Sequence, residues 1–182
     1  MANKPSRKVE NYTGTRITVH SSHPFNVVLD KLYSSIKPSS DALQAWPKIA
    51  SSISSYDAAS KQNFISAVES TVGPHSFMFF QEFDHGVWVP LFNVGNGLKA
   101  KRIILGNPLI AITMLKRDLR AGLAVPVELL LLEKSEHDGG GVDLVWQLPS
   151  ALIARIEDDE ELREATEKLD EKLDALVQFV AA

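Results

Sequence analysis

Cysteine is absent from the 182 residues. A disulfide framework, a thiolate zinc site and a cysteine nucleophile are therefore excluded. Long apolar runs are missing too. The longest, at 125–132, is interrupted by Pro126 and Glu128, whereas a bilayer span needs about 20 residues. No membrane partner is expected. The N-terminus carries Lys4, Arg7 and Lys8 with no apolar stretch behind them. This is not a secretory leader pattern, and a cytoplasmic location is the expectation. Positive charge is in the minority, with 19 Lys and Arg against 23 Asp and Glu. That argues against a nucleic-acid partner held by bulk charge. His20 and His23 have a two-residue gap that a metal site could use, but no third ligand stands nearby, so no metal and no cofactor is expected.

What is present is an ordinary globular composition, 45% hydrophobic and 23% charged. At this length one core can form without staples. No repeat or linker divides the chain. The expectation is a loose polar tail at 1–14 and a single domain at 15–182.

Periodicity gives the elements. Alternation at 15–21 predicts a strand. Phe25, Val28, Leu29, Leu32 and Ile36 recur at helical spacing, with the helix expected to stop at Pro38. The serine-rich stretch 41–72 keeps apolar residues and is read as folded, with a helix from Asp57. A strand-rich meander is expected over 77–105: an aromatic strand at 77–80, an edge strand at 87–92, a hairpin turn at Gly95-Asn96-Gly97 and a strand at 101–105. Asn107-Pro108 predicts a capped helix start, since Asn accepts a backbone N–H and Pro needs none. The apolar face of that helix is expected to run through Leu119 to Gly122. Strands at 127–133 and 142–148 flank a glycine turn. Finally Leu162, Thr166, Leu169, Leu173, Leu176 and Val180 form a heptad-like stripe on a long acidic helix.

These elements carry a family resemblance. Asp84-His85, the run from Arg102 to Pro108, the run from Val125 to Leu130, and Leu148-Pro149 stand in an order and spacing that resemble the family called domain of unknown function 302 (DUF302). The resemblance covers about 15–180. It implies an α+β two-layer sandwich: a mixed, mostly antiparallel sheet of five or six strands, helices on one face, and a homodimer. It implies no activity. Two departures stand out. In relatives the Asp-His pair looks like a helix start, which Gly86 and the β-prone Val87-Trp88-Val89-Pro90 oppose here. Ala111-Ile112 replaces a Gly-Thr pair.

The candidate chemistry centres on Asp84 and His85, where a carboxylate could orient an imidazole for acid–base work. Adjacent strand residues point to opposite faces, so the alternative is a capping Asp and a structural His. Phe77, Phe79, Phe80, Phe83, Trp88, Phe92 and Trp146 either line an apolar pocket or fill the core. Of these, Phe79, Phe83, Trp88 and Phe92 are candidate ligand contacts, with Arg102 and Asn107 as polar anchors. Asn107 could also present a helix N-terminus to an anion, against simple capping. The leading expectation is a homodimeric protein that binds a small apolar or aromatic ligand. The first alternative is an isomerase, cyclase or decarboxylase using His85, with Asn107 or Arg102 stabilising negative charge. The second is a protein–protein interaction module using the C-terminal helix or the sheet.

Overall fold

The alternating segment Arg16–Ser21 forms β1, at one edge of a five-stranded sheet in the computed structural model, which describes residues 6–36, 45–153 and 159–182. The other strands are β2 (Met78–Asp84), β3 (Ala100–Gly106), β4 (Val127–Glu133) and β5 (Val142–Gln147). The strand order is β1-β5-β4-β3-β2, and each described pairing is antiparallel. The sheet is therefore not mixed. The chain leaves β1, crosses to the far edge through helices, and meanders back.

The helices are α1 (Phe25–Ile36), α2 (Ala45–Ser51), α3 (Ala58–Glu69), α4 (Pro108–Leu115), α5 (Pro149–Ile153) and α6 (Glu160–Ala181). All six members of the C-terminal stripe are buried on α6, together with Val177. They pack with α1 against Ile103, Leu105, Leu129, Leu131, Leu144 and Trp146. Period two on the strands and 3.6 on the helices thus meet in one main core. The α6 N-cap is Asp159, whose side chain accepts from Leu162 N–H at 2.9 Å. The expected stop of α1 at Pro38 lies outside the described residues.

Strand β2 splits its aromatics. Phe77 and Phe79 enter the main core. Met78 and Phe80 enter a second, smaller core with Ile49 and Val68, packed by Trp46, Phe64 and Leu109. Alternation explains the division. A bulge between Phe79 and Gln81 sits at the same place, where the register with β3 shifts. So the short helices α2 and α3 attach to the β2 edge, beside the main layer of α1 and α6.

Three expectations fail locally. Residues 87–92 are not an edge strand. They form 3₁₀ turns at His85–Val87 and Val89–Phe92, the second with Pro90 in its first turn and Asn93 at φ 58° closing it. The Asp-His pair therefore does open a helical turn, although only a single one. Gly95-Asn96-Gly97 has the positive φ values of a tight turn but is no hairpin between strands, because a 3₁₀ turn and not a strand precedes it. Strands β2 and β3 instead pair directly, Asp84 opposite Lys101, and 85–99 is an excursion from one hairpin. Lastly, α4 ends at Leu115. Asp118 accepts from Arg120 N–H and starts a separate turn, Leu119–Leu123, which leaves Leu119 81% exposed.

Candidate functional site

The C-terminal end of β3 runs into α4 through Gly106-Asn107-Pro108. The Asn107 side chain accepts from Leu109 N–H at 2.8 Å and donates to the Ser76 carbonyl at 3.0 Å. The N–H groups of Ile110 and Ala111 both reach the Asn107 carbonyl, and Pro108 has none. The turn is thus a closed cap with no free donor in this first turn, and both ends of the Asn107 amide are committed. Anion binding at this point, and a role for Asn107 as a free polar anchor, are not what the geometry offers.

Beside this turn lies a cavity of about 460 Å³. Its walls are Phe80 and Gly106 from the sheet, Leu109, Ile112 and Met114 from α4, Pro126 before β4, Leu169 from α6, and Trp46, Phe64 and Ile65 from α2 and α3. Gly106 is needed there: a Cβ would stand 3.0 Å from the Pro126 Cβ and 3.4 Å from Phe80 Cε2. Helix α3 turns Lys61, Phe64, Ile65 and Val68 to one side, at the three- and four-residue spacing of a helix face. Lys61 is the one charged side chain among the described residues of the lining. The volume falls in the usual range for small-molecule sites, roughly 300 to 1,000 Å³.

The expected aromatic hollow does not assemble as one site. Phe79 and Trp146 are core. Phe83, Trp88 and Phe92 are exposed, at 41%, 49% and 70%. Phe83 stacks under the Arg102 guanidinium, 5.5 Å away. Trp88 packs edge-on against His85 and Phe92. Of the seven aromatics only Phe80 lines the cavity just described, and of the named ligand contacts only Asn107 does. The lining residues Trp46, Phe64 and Lys61 were not among the expected site residues. The visible signal was the 3–4 spacing of Lys61, Phe64 and Ile65 within a stretch dominated by serine.

Asp84 and His85 also part company. Asp84 pairs with Lys101 at 3.3 Å, and Lys101 pairs with Glu82 at 3.2 Å. The Tyr33 hydroxyl donates to the other Glu82 oxygen. Burial, and then this carboxylate, push the Tyr33 hydroxyl far above its ordinary range. These side chains share the core-facing side of β2 and β3, where α1 leaves the sheet. Their arrangement is an ion-paired plug in which every charge has its partner. His85 stands outside it.

Away from the β2 edge, where Met78 enters the second core, the opposite face of the sheet belongs to neither core. Ile104, Leu130, Leu132 and Val145 lie half-buried at its centre. Arg102 Nε donates to Glu128 at 2.9 Å, with a second contact completing the fork. His20 and Asp143, paired at 2.9 Å, and Arg16 complete its charged rim. A groove of about 410 Å³ crosses this face and its end. Among the described residues no group of three or more His, Asp or Glu side chains is placed to hold a metal ion. Nor is any described helix long and apolar enough to cross a membrane.

An open antiparallel sheet backed by a long C-terminal helix, with an apolar cavity at the end of the β3–α4 connection, defines an α+β sandwich of small-domain type. The family model for domain of unknown function DUF302 matches residues 54–180. The chain belongs to that family. The fold is also that of a crystal structure of an uncharacterized conserved DUF302 protein from Bacillus stearothermophilus. The two superpose with a TM-score of 0.59 over 91% of this chain and 97% of the other, at 16% identity. No curated protein matches the sequence.

Proposed function

We propose that this DUF302 protein binds a small apolar or aromatic molecule in the cavity enclosed by α2, α3 and α4. The observation that carries the reading is a 460 Å³ space with an almost wholly apolar lining, next to a helix start whose polar groups are already satisfied. Apolar burial supplies the affinity, about 0.8 kcal/mol per methylene removed from water. Calorimetric titration with neutral probes such as decanol and naphthalene tests it. Binding is expected, together with a rise in Tm by mass action. Heat and Tm both unmoved across a graded set of apolar probes would sink the reading.

The acid–base alternative is weaker on this geometry, because Asp84 is engaged by Lys101 and His85 lines none of the cavities described above. Self-association has a specific observation in its favour. On the open sheet face Arg16 and Arg102 are balanced by Glu128 and Asp143, around the apolar Leu130, Leu132 and Val145. A charge-balanced face with an apolar centre can meet its own copy across a twofold axis without repulsion. Helix α6, with seven acids and three bases, would repel itself. The homodimer therefore uses the sheet. Light scattering should report twice the chain mass, and Leu130→Arg should halve it; a monomer at high concentration contradicts this.

A further inference from the structure

We infer that the occupant of the cavity is an amphipathic acid: an apolar chain or ring seated between Phe64, Ile65, Phe80 and Ile112, with a carboxylate-like head at Lys61. This rests on the cavity being a ligand site at all, and it adds the head group. Three observations carry it. The first is position. Lys61 lies one turn before Phe64 and Ile65 on the face that α3 turns to the cavity, not on its outer side. The second is availability. Lys61 makes no ion pair among the described residues, and the residue is exposed to solvent. Its methylenes can follow the apolar wall while the charge stays at the mouth. The third is exclusion. Among the described residues of the lining Asn107 is occupied at both ends and the α4 N–H groups are bonded within the cap, which leaves the Trp46 indole N–H and the Lys61 ammonium as its remaining polar side-chain groups. Both are donors and Lys61 alone of the two is charged, so an anionic head is favoured over a neutral or basic one.

The matched pair decanoate and decanol tests this on the full chain, by calorimetry in low-salt buffer near neutral pH. Decanoate is expected to bind about fivefold tighter, the size of one rim ion pair. Lys61→Met should erase the difference, so that the variant binds decanoate and decanol alike. Lys61→Arg should restore it. Equal binding of acid and alcohol to the wild type overturns the head-group assignment and leaves the cavity reading standing. A preference for the acid that survives Lys61→Met overturns the role of Lys61. Failure of both probes to bind overturns the cavity reading and this inference with it.

Discussion

The Trp46 indole lies against the Phe80 ring, centroids 5.1 Å apart and planes tilted by 44°. This contact ties α2 to the bulged start of β2 and walls one side of the cavity. Phe80 can reach α2 because the strand has alternated away from the main core, in which Phe77 and Phe79 are held. The stacked pair adds about 0.5 to 1.5 kcal/mol beyond its buried area.

Replacing the ring tests the wall. Trp46→Ala should lower stability by about 2 kcal/mol, since the side chain is only half-buried. It should also weaken decanol binding roughly tenfold, as loss of an aromatic anchor does. Calorimetry against a Tm measurement separates the two. Full retention of affinity would place the ligand elsewhere.

The Asn107 cap makes a second case. Asn107→Ala removes the acceptor for Leu109 N–H and the donor to Ser76. A loss of about 1 to 2 kcal/mol is expected in urea unfolding. Asn107→Asp keeps the acceptor alone and should fall between.

The ion-paired plug makes a third. Lys101, 15% exposed, holds Glu82 and Asp84 together. Lys101→Met strands two carboxylates beside Tyr33 and should cost about 2 kcal/mol. The double change Lys101→Met with Glu82→Gln should recover part of that loss. Additivity of the two substitutions would show that the pair is not coupled.

Asp170 sets a pH dependence. Burial pushes its carboxyl above the usual 3.8, against the lowering effect of the bond from Ser150 N–H at 3.0 Å. The native state then keeps this proton to higher pH than the unfolded chain. The contribution is fully present below the unfolded value and is lost as pH rises through the raised native one. At neutral pH the carboxylate is a net cost. Asp170→Asn keeps an acceptor for Ser150, so it should be stabilising at pH 7 by about 0.5 kcal/mol, small because the group is half-exposed and screened. The gain should vanish below pH 3.8. Unfolding curves across that range check the sign.

Much of the fold was legible because its signals are local. The β1 alternation, the apolar runs of β4 and β5 about a glycine turn, the stripe on α6, and the Asn107-Pro108 start each depend on a pattern within a few residues. The excursion at 85–99 was misread for the opposite reason. Val87-Trp88-Val89 has strand propensity, but β2 and β3 pair directly with each other, so the segment lies outside their ladder and pairs with no described strand. Propensity without a partner yields to the local turn geometry of Pro90 and Asn93. The aromatic residues were found and their grouping was not. Composition counts rings, whereas alternation along β2 sends them to two different cores.

The sequence by itself determined the family, the α+β class, most of the strand and helix centres, and the buried face of the last helix. Each of these follows from residue order along a short stretch of chain. Only the tertiary structure decided that Asp84 turns to Lys101, that the centre of one sheet face stays outside both cores, and that Trp46, Lys61 and Phe80 meet around a single cavity. Those residues are far apart in the chain. Their meeting depends on a strand register and on where α2 and α3 dock, and both are fixed by packing between distant segments.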